Sequence, residues 1–452
     1  MRDTLRQSVA PLYLLLCLVL GGGAAGTWRN LALQLIAIVI LAWAAIERSD
    51  ERLPRAARQL GLIVLLALLL LALQLVPLPP AIWTTLPGRQ TLVEGYQILG
   101  QELPWLPISL TPHTTLSALP WLLPPLAMLA AILRLKAYRT SWLVVALLAG
   151  TIFGVLLGAL QVSSSPGTQW YLYRIANFGF ATGFFANKNH MATLLLVSLP
   201  FLAALLARVR ESRMKPQRYY SIVAAGGGIV VVILMGIVLN QSQAGWGLAL
   251  PVLLASSLIL IKGWARAAGG VLVLAAGLAA AGLLILFIAP VHDLLGVRAE
   301  TSVQTRMEIS STTTRAALEY APVGSGFGSF VETYRMFEDP ARVDTTYVNH
   351  AHNDYLELLL ETGLPGLILL LLFLAWWASL AVRQWRGAAD AYGRAASIAC
   401  AAILAHSFVD YPLRTAAIAV LFAMCLALMA QPRSVGSLKR SGLRETRHLE
   451  IR

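Results

Sequence analysis

Residues 348–366 read VNHAHNDYLELLLETGLPG and put His350 and His352 beside Asp354, Glu357 and Glu361, just ahead of a long apolar run. Those residue types fit three kinds of behaviour. Imidazoles and carboxylates can hold zinc, and His350-x-His352-x-Asp354 resembles part of a binuclear zinc signature. That signature continues with a histidine where this chain has Tyr355, and the further ligands a zinc site needs are not found, so no metal is expected. A histidine near its free pKa of about 6.5 can instead take a proton at neutral pH. A helix N-terminus keeps a nearby imidazole neutral and able to act as a base, which singles out His352, with Asp354 either capping the helix or orienting the ring. The third possibility is that both histidines only satisfy backbone groups at the end of a loop.

Other polar clusters punctuate the same half of the chain. TRMEISSTTTRAALEYAP reads as helix and carries Arg306 and Arg315, whose planar forks suit phosphate oxygens, although exposed arginines also simply solvate a face. FFANKNHMATLLL sets Asn187, Lys188, Asn189 and His190 at the mouth of an apolar run, as a helix cap or as a second wall of one site. PVGSGFGSF has glycines at 324, 326 and 328 without the strand–turn–helix context of a dinucleotide site, so a tight turn is expected. HSFVDYPLR places Asp410 and Arg414 at a turn, where the simplest reading is a local ion pair.

The elements that must position these groups are membrane helices. Of 452 residues, 58% are hydrophobic and 13% charged, about half the charge fraction of a soluble domain. The apolar residues come in blocks of about 18–22, long enough to cross a hydrocarbon core of roughly 30 Å, and continuous rather than alternating, which argues against a β-barrel. Twelve such segments can be placed: 9–26, 30–46, 60–76, 117–133, 142–161, 189–207, 220–239, 244–261, 267–289, 364–382, 395–410 and 413–430. The expected fold is an all-α integral membrane protein of about 12 transmembrane helices. One membrane domain spans 1–432, with a large loop of about 290–363 between helices 9 and 10, and a basic tail follows at 433–452. Arg2 and Arg6 ahead of the first apolar stretch, with no small-residue cleavage site after it, predict an uncleaved first helix. Cys17, Cys400 and Cys425 lie inside apolar blocks and give neither a disulfide framework nor thiolate metal spacing.

Lys and Arg set the orientation. With a cytoplasmic N-terminus and strict alternation, 25 of the 35 basic residues fall on the cytoplasmic side, the tail included. The net charge of +13 is therefore topological, and no nucleic-acid partner is expected. The long loops, about 77–116, 162–188 and 290–363, all face the other side, together with five of the seven histidines and 14 of the 22 acids. In the first loop, the proline-rich stretch around Trp83, and Trp105, are expected at headgroup depth, in contact with membrane lipid. Helix interiors carry almost no charge; His406 is the exception. A carrier keeps ionisable groups near the midplane. This distribution favours an enzyme at the exoplasmic face, with a transporter or flippase as the reading from another class.

The order of the motifs, FFANKNHMATLLL, NQSQAGWGLAL, TRMEISSTTTRAALEYAPVGSGFGSF, NHAHNDYLELLLETGLPG and HSFVDYPLR, resembles the O-antigen ligase/polymerase superfamily of bacterial membrane glycosyltransferases over about residues 180–415. The most specific piece is His352-Asn353 with the downstream Glu361-x-Gly363-x-x-Gly366. The resemblance implies an inner-membrane enzyme without cofactors, acting at the periplasmic face on an undecaprenyl-pyrophosphate-linked glycan, with lipid A-core or another glycan as acceptor. It implies that His352 is the essential histidine and Arg306 the loop arginine. The family's Ser-Arg at the turn between helices seven and eight is Ser242-Gln243 here, so Arg174, Lys188 or Arg315 would join Arg306 on the pyrophosphate. His350, Asn353, Asp354, Asn187, Asn189, Glu361 and Asp410 would support the site. Ligase and polymerase share this architecture, and the acceptor distinguishes them.

Overall fold

A computed structural model describes residues 2–23, 27–48, 51–165, 168–212, 214–261, 299–343, 348–386 and 390–431. The expected ninth segment, 267–289, and the basic tail 433–452 lie outside the described residues. Within them every regular element is helical, apart from one antiparallel bridge between Leu78 and Leu106. Among the described residues nine helices are long and apolar enough to cross a membrane: α1 (Asp3–Leu20 within Arg2–Leu20), α2 (Trp28–Ile46), α3 (Arg55–Leu73), α4 (Pro112–Arg134, a composite with 3-10 and π turns), α5 (Thr140–Ser163), α6 (Lys188–Glu211), α7 (Pro216–Asn240), α8 (Gln243–Leu260) and α11 (Asp354–Trp385). Between α8 and α11 lie the polar helix α9 (Ala299–Glu319) and the short α10 (Phe330–Phe337). Two shorter helices, α12 (Ala391–His406) and α13 (Ala416–Ala430), complete the bundle.

α6 is the most buried of the nine spans and forms the axis against which α5, α7, α8 and α12 pack. Its apolar residues face neighbours on nearly every side, the pattern of a helix surrounded by protein. Side-chain bonds define the two ends of the bundle. At one end Arg6 pairs with Glu47 at 2.9 Å, Arg134 donates to the Glu47 carbonyl at 3.0 Å and Lys136 to Gln431 at 3.2 Å. At the other, Ala186 N–H donates to the Gly22 carbonyl, Asn240 to the Lys188 carbonyl, and Gln74 to the Glu361 carbonyl at 2.8 Å. The loops thus sort between the ends as helix alternation requires.

The structure also revises three details. Trp83 is fully buried, its indole N–H bonded to the Pro104 carbonyl at 2.8 Å, whereas Trp105 is 64% exposed. A tryptophan whose donor finds a protein carbonyl has no need of the headgroup layer. The helix expected from 364 begins ten residues earlier, at Asp354, and breaks at Gly363 (φ 60°, ψ −152°). Asn353, not Asp354, caps it, accepting from Tyr355 N–H and Leu356 N–H at 3.0 Å each.

That break explains two glycine motifs at once. Pro365 follows the broken turn and cannot donate, so carbonyls of α11 are left without helical partners. The 322–328 loop supplies them: Ser325 N–H bonds the Leu360 carbonyl and Gly326 N–H the Glu361 carbonyl, both at 2.9 Å, while Leu364 N–H returns to the Pro322 carbonyl at 2.8 Å. The approach is close enough that a Cβ on Gly363 would lie 2.1 Å from the Pro322 oxygen, and one on Gly324 2.7 Å from the Glu361 oxygen. Both glycines have positive φ, so other residues are excluded by conformation as well as by contact. The Gly-rich loop is a clamp on a broken helix, and it fixes where the first turns of α11 present their acids.

Candidate active site

Two polar clusters meet where α6, α11 and α12 end. The first surrounds Arg414. Its guanidinium lies 2.9 Å from Glu361, 3.5 Å from Glu357 and 3.8 Å from Asp354. Burial by itself would lower the pKa of the arginine, but the three carboxylates outweigh it and hold the group charged, above its ordinary value. Each acid has a second duty. Glu361 accepts from Gly328 N–H at 2.9 Å, Asp354 from Ser407 Oγ at 2.8 Å, and Glu357 from Ala351 N–H and His350 Nδ1, both at 2.8 Å. This cluster joins the Gly-rich loop, α11 and the α12–α13 turn. The local Asp410–Arg414 ion pair does not form; the two residues belong to different clusters.

The second cluster surrounds Asp410, which is fully buried. Its carboxylate accepts from Tyr411 N–H at 2.8 Å, from Asn187 at 3.4 Å and from Asn189. Asn189 is itself held by Ser242 Oγ at 2.7 Å. His352 Nδ1 stands 3.6 Å from Asp410 Oδ1, and His190 Nε2 stands 3.8 Å from the same oxygen. Burial alone would raise the Asp410 carboxyl; His352, His190 and Arg306 more than offset it and hold it well below the usual carboxylate range. Asp410 is therefore an anion at neutral pH.

His352 adopts a left-handed backbone, φ 50°, uncommon for any residue but glycine and held here by its surroundings. Its Nδ1 is buried and turned toward Asp410, while the side chain as a whole is 25% exposed, so Nε2 is the outward nitrogen. A carboxylate behind Nδ1 favours the tautomer whose Nε2 is free to accept a proton. Tyr411 packs its ring against three imidazoles, at 5.0 Å from His190, 4.2 Å from His350 and 5.0 Å from His352. Burial and the neighbouring Asp410 push its phenol up to about 12, so it stays protonated.

The cations expected around a phosphate part company. The charge of Arg306, on α9, acts on Lys188, His406 and Asp410, which places it at the second cluster. Lys188 opens α6, its ammonium 3.5 Å from the centre of the Phe180 ring. Both are half-buried, and neither forms a salt bridge among the described residues. Arg315 is nine residues along α9 from Arg306, which at about 100° per residue is half a turn out of phase. Its guanidinium is exposed and bonded to the Phe337 carbonyl at 3.0 Å, outside the cluster. Arg174 is exposed in the loop before α6. Among the described residues no group of three or more His, Cys, Asp or Glu side chains forms a metal-binding cluster.

Residues 228–371 match the family model of the O-antigen ligase domain. The match covers about a third of the chain, and over those residues the chain is similar to the O-antigen ligase family. The long apolar helices make it a membrane protein, and no curated protein matches it. The matched segment carries Arg306, His350, His352, Glu357 and Glu361. Lys188, Asn189, Asp410, Tyr411 and Arg414 lie outside it and are brought in by the fold. The turn where the superfamily carries Ser-Arg has Ser242 capping α8 through Gly245 N–H at 3.1 Å, with Gln243 as the first helical residue. In the same turn Asn240 bonds the Lys188 carbonyl at 2.7 Å, so Lys188 stands beside the position that lacks the arginine. Sequence reasoning passed over Tyr411 and the partnership of Glu357 with His350. Both lay within the motifs already singled out, Tyr411 beside Asp410 and Glu357 seven residues after His350, and spacing alone did not indicate their contacts.

Proposed function

We propose that this chain transfers a glycan from undecaprenyl pyrophosphate to an acceptor hydroxyl at the periplasmic face of the inner membrane. The observation that carries this reading is the juxtaposition of His352, backed by ionised Asp410, with two cations that form no salt bridge among the described residues, Arg306 and Lys188. A glycosyl diphosphate is already activated, since the departing diphosphate is a stable anion. The reaction needs one base and positive charge where the anion develops, and no protonating acid of the kind glycosidases use. The acceptor hydroxyl gives its proton to His352 Nε2. Its oxygen bonds to the anomeric carbon as the bond from that carbon to the diphosphate oxygen breaks, with inversion. Undecaprenyl diphosphate leaves against Arg306 and Lys188, the lysine standing in for the arginine absent at Gln243.

The test is transfer by the purified protein in nanodiscs, in the presence of a chelator, with the lipid-linked glycan as donor and either lipid A-core or a single lipid-linked repeat unit as acceptor. The first acceptor reports a ligase and the second a polymerase. Arg306→Ala and Lys188→Ala should each lower the rate by about 10²- to 10³-fold. Arg315→Ala and Arg174→Ala should stay close to wild type. Equal losses in all four would mean that net charge, and not position, matters.

A further inference from the structure

A second imidazole–carboxylate pair stands beside the first. His350 Nδ1 bonds Glu357 Oε1 at 2.8 Å, and Glu357, only 1% exposed on its side chain, is fixed in turn by Ala351 N–H and Arg414. Among the described residues the other ring nitrogen, Nε2, makes no hydrogen bond, and the His350 side chain is 26% exposed, nearly the same as His352. With a carboxylate on Nδ1, the neutral ring carries its proton there and presents Nε2 as an acceptor. The shared neighbour is Tyr411, whose ring lies against both imidazoles. The site therefore holds two partly exposed imidazoles on one tyrosine ring, each with an Nε2 that makes no hydrogen bond among the described residues, and glycosyl transfer uses one of them as base.

The charges say which substrate the other nitrogen meets. Arg306 acts on Lys188, His406 and Asp410, at the His352 end of the row, whereas Glu357 answers to Arg414 and His350. An inverting displacement is in line, with nucleophile and leaving group on opposite sides of the anomeric carbon. If the diphosphate sits on Arg306 and Lys188, the acceptor must extend away from them, past His352. The imidazole that adjoins His352 is His350, which shares the Tyr411 ring with it.

Resting on the transferase reading, we infer that His350 is an acceptor-binding residue: its Nε2 takes a hydrogen bond from a hydroxyl of the acceptor sugar next to the one that reacts. Glu357 orients the ring for this, as Asp410 orients His352. One pair moves a proton and the other holds the sugar in register. Losing a hydrogen bond to one substrate weakens its binding in the ground and transition states alike, so the effect belongs in the KM for that substrate.

The experiment compares wild type with His350→Asn and His350→Gln in nanodiscs, using the lipid-linked glycan as donor and, as acceptor, whichever of lipid A-core and the lipid-linked single repeat the wild type extends. Asparagine keeps an amide near Glu357 but lacks an atom at the Nε2 position; glutamine reaches that position. The asparagine variant should raise the acceptor KM about tenfold and leave the donor KM within about twofold, and glutamine should recover part of the loss. An unchanged acceptor KM, or donor and acceptor constants rising together, overturns the assignment of His350. Absence of any product from wild type with both acceptors is a different result, and it overturns the transferase reading itself.

Discussion

His352→Ala should abolish measurable transfer, lowering the single-turnover rate by about 10²- to 10⁴-fold, the range a positioned general base contributes. The folded protein should survive. His352 donates to no partner that needs it, its side chain is a quarter exposed, and alanine removes the ring without removing a structural bond. Its left-handed backbone costs alanine no less than histidine, so His352→Gly is the companion variant that relieves that strain while still lacking the base. Both should elute from size exclusion as wild type does, and both should bind donor. The loss then belongs to the chemical step. Asp410→Asn should fall between wild type and these variants, because its Oδ1 can still accept from Tyr411 N–H and Asn187, whereas its NH2 faces the Asn189 donor and the side chain no longer stabilises a protonated imidazole.

The largest effect on stability should come from Arg414→Leu. The leucine would leave Asp354, Glu357 and Glu361 facing one another, all buried, with neutral donors (Ser407, Ala351 N–H, Gly328 N–H) and His350 as their remaining partners and no permanent cation among them. Removing one side of a buried ion pair costs about 3–5 kcal/mol, because the charge left behind is uncompensated. Here three carboxylates lose one guanidinium. A thermal shift measured by fluorescence-detected size exclusion in detergent should fall well below wild type. Glu361→Gln combined with Arg414→Leu should recover part of the loss, since one negative charge is then gone and Gly328 N–H keeps an acceptor. Arg414→Lys should be nearly as damaging as leucine, as a point charge does not span Glu357 and Glu361 as the fork does.

Much of the helical framework was legible because the apolar blocks are long and unbroken. Eight of the first eight expected segments coincide with spans, and the composition that makes Lys188–Glu211 apolar throughout also makes it the buried axis. The start of α11 was not legible by the same rule. Residues 354–361 are acidic and read as loop, yet they form helix because Arg414, Ser407 and the Gly-rich loop satisfy their charges and carbonyls from afar. In the site, Arg306 and His352 stood out by motif, and the phase difference between Arg306 and Arg315 was available from helical periodicity. What spacing did not indicate was partnership. Asp410 is four residues from Arg414 but its charge is directed to His352, 58 positions earlier in the chain, and Tyr411 gains its role only when three histidines from two elements close around it.

The central claim is that a diphosphate lies on Arg306 and Lys188 with His352 Nε2 directed at the adjoining anomeric carbon. A structure of the protein in a lipid nanodisc with undecaprenyl pyrophosphate, or its glycosylated form, bound tests this most directly. The account predicts diphosphate density within hydrogen-bond reach of both cations, with the His352 ring facing the sugar position from the side opposite the diphosphate. Diphosphate resting instead on Arg315 or Arg174, or a His352 ring turned away from the sugar position, would contradict the account.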